Sequence, residues 1–247
     1  MNFNDPTTWI DYDKDQQVSY RANILKSLIP SDVRTILDVG CGSGVVTNKL
    51  AADYDVNAMD ISEAALERVE CPKLCASITS IPFGDKSFDL VNCNEVLEHL
   101  NDEDLDLGAS ELLRTANRYI LISVPHREQL NRYHCRCAKC GSVSHPYGHL
   151  QSFTEERLGS LFSKCFHLKR RLIYGPLHRD MPLLLLNYRQ QVLNQWFSPQ
   201  KGYLCPQCQS AIFETAQNLQ TKLINGLNRL LTKPRPYWLI ALFVRKG

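Results

Sequence analysis

No stretch of this 247-residue chain approaches the about 20 consecutive apolar residues that a helix needs to cross a bilayer. The longest, "PLLLL" at 182–186 and "YWLIALFV" at 237–244, read as buried segments. The opening residues "MNFNDPTTWIDYDKD" are polar and acidic, without the charged start and apolar run of a secretory signal, so a cytoplasmic protein is expected. There is no internal repeat and no low-complexity tract. Acidic residues are scarce in the second half: residues 126–247 hold 5 Asp+Glu against 18 Lys+Arg, whereas residues 1–125 hold 21 against 10. The formal charge of +2 conceals this split. A basic half is either solvated surface or a face for phosphate, nucleic acid or a membrane surface, and both readings stand. Ten cysteines without a secretion signal exclude a disulfide framework as the default and favour metal or redox roles.

What is present is alternation. Hydrophobic residues make up 44%, enough for a substantial core. Residues 17–29 have the apolar spacing of an amphipathic helix ending at Pro30. Strands are expected at 35–39, 55–61, 88–94 and 118–124, with helices at 45–54, 62–70 (capped by Ser62) and 103–117 between them. Strand and helix alternating in this way predict an α/β fold: a doubly wound, mostly parallel sheet with helices on both faces. After Pro125 the pattern breaks into a Cys/His-rich stretch. A helix at 154–164 and a strand at 166–174 resume it, a helix is expected over 210–233, and 237–246 reads as a closing strand. The expected organisation is a core over 1–125, a Cys/His-rich insertion over 126–153, core elements over 154–174, a second insertion over 175–236 and a final strand over 237–247.

The most informative stretch is "ILDVGCGSG" (36–44). A strand runs into Asp38, and Gly40, Gly42 and Gly44 alternate before a helix begins. Glycines let the backbone turn sharply and let a ligand approach without Cβ interference. The helix N-terminus behind them offers free N–H groups and a positive dipole end. Asp60, at the end of the next strand, is placed to accept hydrogen bonds from ribose hydroxyls. Dinucleotide enzymes use G-x-G-x-x-G. Here the spacing is G-x-G-x-G with an acid two residues earlier, which would repel a pyrophosphate and attract a cation.

"ILDVGCGSG", "MDIS" and "ITSIPFGDKSFDLVNCNEVLEHL" (78–100), in this order, resemble the successive motifs of class I (Rossmann-like) S-adenosylmethionine-dependent methyltransferases, over roughly residues 30–125. The strands at 166–174 and 237–246 fit that fold's closing antiparallel pair, which makes a seven-stranded sheet. The resemblance implies that Asp38, Gly40, Cys41, Gly42 and Gly44 surround the methionine part of the cofactor. It implies that Asp60 holds the ribose, that Ile61 packs on the adenine with Ser77 and Ile78 at its edge, and that Asn94 and Glu95 line the floor near the sulfonium. Ser77 stands where members of this group often carry Asp, a stronger acceptor for the adenine amino group.

Methyl transfer to oxygen or nitrogen needs an aligned acceptor and a group to take its proton. His126, after the fifth strand, and His149, in "GHLQSFT", are the candidates. The paired spacings Cys137-x-x-Cys140 and Cys205-x-x-Cys208 predict one structural Zn²⁺ held by four thiolates, with Cys135 spare. The expected activity is methylation of a small molecule, with a basic surface that suits an anionic one. A methyltransferase acting on RNA or protein through the basic half, and a non-catalytic binding protein on the same fold, are the alternatives.

Overall fold

The computed structural model describes residues 16–215 and 218–247. The acidic opening stretch 1–15, read above as no signal peptide, lies outside them. The chain forms two compact units. The larger comprises residues up to 126 together with 153–175 and 238–247, and the smaller comprises 127–152 and 176–237.

The larger unit is a seven-stranded sheet. Its strands are β1 (Thr35–Val39), β2 (Asp55–Asp60), β3 (Lys73–Cys75), β4 (Phe88–Asn94), β5 (Ala116–Pro125), β8 (Phe166–His178) and β9 (Arg235–Arg245), in the order β3-β2-β1-β4-β5-β9-β8. The pairs from β3 to β5 are parallel, and β9 runs antiparallel to β5. Its helices are α1 (Gln16–Leu28), α2 (Val45–Ala51), α3 (Glu63–Leu66), α4 (Asp102–Thr115) and α5 (Glu155–Phe162). The strand order reverses between β1 and β4, so the carboxyl ends of β1, β2 and β4 frame the crevice where such sheets bind ligands.

Local chemistry accounts for the element ends. The Ser62 side chain accepts from the Ala65 N–H, and Thr154 accepts from the Arg157 N–H, each satisfying an orphan donor at a helix start. Asn101 caps α4 in the same way ahead of three acids in its first turn, which suit the positive end of the helix dipole. The core lies where helix faces meet the sheet, with Leu37, Val91, Leu112, Ile120, Phe162 and Phe243 almost wholly buried. The "YWLIALFV" segment is buried from Trp238 to Phe243, as its composition suggests.

Three expectations need correction. The helix expected over 62–70 is a single turn, Glu63–Leu66, because the chain must come out of it at once to lay β3 beside β2. The helix expected over 210–233 begins only at Leu219. Upstream of it, Phe213 bridges back to Cys137, and Asn218 with Thr221 closes a capping box. The "PLLLL" segment is not buried throughout. It forms the short helix α6 (Leu183–Asn187), on which Leu183 and Leu184 are exposed and only Leu186 is buried.

The smaller unit holds a two-stranded ribbon, β6 (Cys135–Arg136) with β7 (Val143–Ser144), then α6 with the π-helical turn Tyr188–Val192, and α7 (Leu219–Leu231). Met181, Leu186 and Ile224 form its small apolar centre.

Candidate functional site

The turn after β1 is built from three left-handed glycines, Gly40 (φ 70°), Gly42 (φ 54°) and Gly44 (φ 85°). L residues enter this region at a cost, so the sequence places glycine there. Gly40 has a second reason: a Cβ on it would lie 2.2 Å from Cγ2 of Val96. The N–H groups of Gly40 and Cys41 donate to the Met59 carbonyl at 2.8 and 3.0 Å, tying the turn to β2.

Asp60 ends β2 and faces this turn. Its carboxylate accepts from the Gly42 N–H at 2.8 Å and from the Ser62 N–H at 2.9 Å. A carboxylate has about four lone-pair positions, so two remain for a diol. Burial raises its pKa, opposed by these backbone donors. Beside it, Ile61 is an exposed aliphatic side chain, 68% accessible, at the mouth of the crevice.

Asp38, expected around the methionine part of the cofactor, is a buried side chain. It is 2% exposed, and both oxygens are taken, by Thr47 Oγ1 at 2.6 Å and Asn92 Nδ2 at 2.8 Å. It clamps β1 to α2 and β4, and what it offers a cationic ligand is its field. Burial pushes its pKa up to about 6 against those two hydrogen bonds. Cys41 is partly buried, and its thiol is pushed up by desolvation and then by the nearby Asp38 and Asp60.

At the end of β4, Asn94 has its amide nitrogen and oxygen buried, with no hydrogen-bond partner for either among the described residues. A buried unpaired amide is costly, which makes it a marker for an absent polar partner. Glu95 adopts φ 55°, a strained value for a non-glycine residue. Its carboxylate is fully engaged: it accepts from Ser123 Oγ (2.9 Å) and Trp238 Nε1 (2.9 Å) and pairs with Arg21 at 3.2 Å. Arg21 also lies over the Trp238 ring, 5.0 Å from its centroid. Arg21 and Trp238 are 217 positions apart in sequence, so no local signal links them. Ser77 bonds Thr79, while the Ile78 side chain belongs to the core and leaves only its backbone for an adenine edge. His126 follows β5, largely buried, and bridges to Phe153.

In the smaller unit, His149 sits in a cluster that the sequence did not reveal. Its Nδ1 lies 2.5 Å from Oε2 of the buried Glu128, and its ring stacks on His145 with centroids 4.8 Å apart. Tyr237 donates to Glu128 Oε1 at 3.2 Å. His178 stacks on Tyr237 and shares a 2.7 Å hydrogen bond with the Tyr133 hydroxyl.

The same unit brings the four spaced cysteines together. Cys137, Cys140, Cys205 and Cys208 have their sulfurs within 4.8 Å of one another, and the Cys137–Cys208 and Cys140–Cys205 separations are both 3.6 Å. That is far beyond a disulfide bond of about 2.05 Å. It is close to the edge of about 3.8 Å expected for a tetrahedron with metal–sulfur bonds of about 2.3 Å. The two turns are equivalent. In each, the first cysteine's carbonyl accepts from the residue four positions on (Gly141, Gln209), which has positive φ, and its N–H donates to the carbonyl five positions on (Ser142, Ser210). The Cys140 N–H leads the contributions that bring the Cys137 thiol down to about 6. Against a hydrogen bond from Ser142, desolvation and the neighbouring thiols push Cys140 up to about 12. Sulfurs this close form a set that could hold a metal ion. Cys135 takes no part: its sulfur bonds Ser144.

Residues 37–118 match the family model described as a methyltransferase domain. Among curated proteins, the chain is 46% identical over 68 residues to an uncharacterised protein of Methanocaldococcus jannaschii, covering 27% of this chain and 30% of that one. It is 28% identical over 119 residues to a ubiquinone biosynthesis O-methyltransferase of Ralstonia nicotianae, covering 43% and 50%. It is 36% identical over 104 residues to a malonyl-acyl-carrier-protein O-methyltransferase of Halorhodospira halophila, covering 37% and 35%. The chain thus spans half or less of the length of these relatives. Among solved structures, the N-methyltransferase NodS of Bradyrhizobium japonicum, in complex with S-adenosyl-L-homocysteine, shares the fold at TM-score 0.55 and 15% identity, with 96% of this chain and 92% of that one covered. A chain from the complex of the Haloferax volcanii Trm112 methyltransferase activator with a methyltransferase does so at TM-score 0.60 and 15% identity, with 100% and 98% covered. Residues 37–118 thus carry a methyltransferase domain, and the reversed strand order around the glycine turn is that of the Rossmann-like methyltransferase fold.

Proposed function

We propose that this chain binds S-adenosylmethionine at the carboxyl ends of β1, β2 and β4 and passes its methyl group to an oxygen or nitrogen of a small, anionic acceptor. The observation that carries the reading is the buried amide of Asn94, unpaired among the described residues, at the head of a crevice whose other wall is Asp60. The residues present fit the cofactor. Asp60 keeps lone pairs for the ribose hydroxyls, Ile61 offers an exposed apolar face for the adenine, and the left-handed glycines leave room for the amino-acid end. Asn94 gains its missing partner there. The buried Asp38 supplies negative potential for a sulfonium.

When bound, the cofactor supplies an electrophilic methyl carbon together with its own leaving group. No protein nucleophile is required. The chain's work is to align the acceptor, exclude water and receive a proton, and orientation alone can supply up to about 7–11 kcal/mol in the best cases. His126 and His149 are the proposed proton acceptors. Glu128, 2.5 Å from His149 Nδ1, orients that ring.

The four converging thiols are proposed to hold one structural Zn²⁺. With four protein ligands the ion has no open position for chemistry, so its role is to staple 127–152 to the second insertion. The acceptor class rests on charge, since the smaller unit carries 11 Lys+Arg against 3 Asp+Glu. The test is transfer of a labelled methyl group from S-adenosylmethionine into a fractionated cell extract. Label in the anionic small-molecule fraction supports the reading. Label confined to RNA or protein would replace it with the macromolecular alternative.

A further inference from the structure

The smaller unit carries an apolar face that its own packing does not use. Helix α7 turns Thr221, Ile224 and Asn228 inward, and these hold it to the rest of the unit. Its leucines lie elsewhere. At roughly 100° per residue, Leu219, Leu223, Leu227 and Leu230 fall within about 80° of arc, outside the inward face. They form a stripe about 20 Å long, and Leu230 is 85% accessible. On α6, Leu184 is 84% accessible. Leucines this exposed on two neighbouring helices of one unit are more than the scattered apolar residues of an ordinary surface.

The charged residues of α7 itself are both cations, while Asp180, beside the helix end, is paired with Arg235. Lys222 and Arg229 stand on the flank of α7, exposed, and Lys233 follows its end. From Thr215 to Tyr237 the sequence has no acidic residue, and from Met181 to Phe213 it has none either. An amphipathic helix with an apolar stripe and only cations among its own charges suits the interface of a negatively charged bilayer. The capping box at Asn218 and Thr221 forms the helix in advance, so binding does not have to fold it. A second copy of the chain could bury the leucines, but it would bring Lys222 and Arg229 against their own copies. An acidic peptide would meet the cations and leave the leucines in water.

We infer that the face formed by α7 and α6 docks on an anionic phospholipid surface, with the leucine stripe in the headgroup boundary and Lys222, Arg229 and Lys233 at the level of the phosphates. This property is independent of methyl transfer, because it is read by partitioning alone.

The test is co-sedimentation of the full chain with vesicles of phosphatidylcholine alone and of equal parts phosphatidylcholine and phosphatidylglycerol. The chain is expected to pellet with the anionic vesicles, to remain in solution with the neutral ones, and to be released by salt. Leu223→Glu with Leu230→Glu should weaken partitioning at least about tenfold. Lys222→Gln with Arg229→Gln should weaken it about fivefold per residue. All four positions are exposed, and S-adenosylhomocysteine binding, measured alongside, should not change. The inference is overturned if the chain stays in solution with anionic vesicles, or if it pellets equally well with both leucines replaced. It is also overturned if sedimentation velocity shows a dimer that the leucine variant dissolves while no vesicle binding is seen, which would assign the face to a second copy.

Discussion

Replacing Gly40 by alanine tests the most constrained point of the glycine turn. Two costs are separable. At φ 70° an L residue pays about 1–2 kcal/mol. The new Cβ would also lie 2.2 Å from Val96 Cγ2, so one side must move. Val96 packs against the main core, and overpacking of this kind typically costs about 1–3 kcal/mol. Gly40→Ala should therefore lose about 2–5 kcal/mol in urea unfolding. Val96→Ala removes the offending methyl. In the double variant the overlap disappears and the backbone cost remains, so it should recover about 1–3 kcal/mol relative to the sum of the single changes. Titration with S-adenosylhomocysteine should recover in parallel, since Gly40 and Cys41 anchor the turn to Met59. Strictly additive losses would refute the argument that Val96, rather than the turn conformation alone, requires glycine here.

Asp38 predicts a pH dependence. Burial raises its folded pKa to about 6, above the ordinary 3.8 of a carboxyl in the unfolded chain, so its contribution to stability is complete below about pH 4 and is lost as pH rises through 6. The change is on the order of 3 kcal/mol and should disappear in Asp38→Asn, measured by denaturation at pH 4 and pH 7. Ionised Asp38 favours a cation, so S-adenosylmethionine should gain affinity relative to the uncharged-sulfur product as pH rises through 6. Cys137→Ser, or a strong chelator, should abolish bound zinc, lower the melting temperature and raise hydrogen exchange in 127–152, because structural Zn²⁺ sites contribute about 10–16 kcal/mol of apparent binding energy; retained order without metal would count against the staple. Glu128→Ala removes the acceptor shared by His149 Nδ1 and the Tyr237 hydroxyl and should cost about 1–3 kcal/mol in urea unfolding, with the His149 ring resonances shifting.

The parts of the fold that could be read in the sequence are those written locally. The run from Ile36 to Gly44 announces strand, turn and helix because each residue's backbone demand is visible in its type. The two Cys-x-x-Cys turns announce themselves by spacing, even across 64 residues, because each knuckle closes within six residues. What was hidden is long-range or depends on direction. β3 is three exposed residues on the sheet edge, too short for periodicity to register. The Arg21–Glu95–Trp238 group joins three distant elements, and Gly175 answers both to its φ of 113° and to the Trp238 ring, which a Cβ would meet at 2.3 Å. Glu128 carries no sequence signal of its contacts with His149 and Tyr237, which lie 21 and 109 positions away. Hydrophobicity alone marked "PLLLL" as core, but composition does not say which way a leucine points.

The central claim is that the glycine turn and Asp60 form the cofactor site, and calorimetric titration of S-adenosylhomocysteine into the chain and its Asp60→Ala variant tests it most directly. The wild-type chain should bind one equivalent in the micromolar range, and the variant, whose carboxylate no longer meets the Gly42 and Ser62 N–H groups or a ribose, should show no saturable heat while remaining folded. Unchanged binding by the variant, or no binding by the wild-type chain, would contradict it.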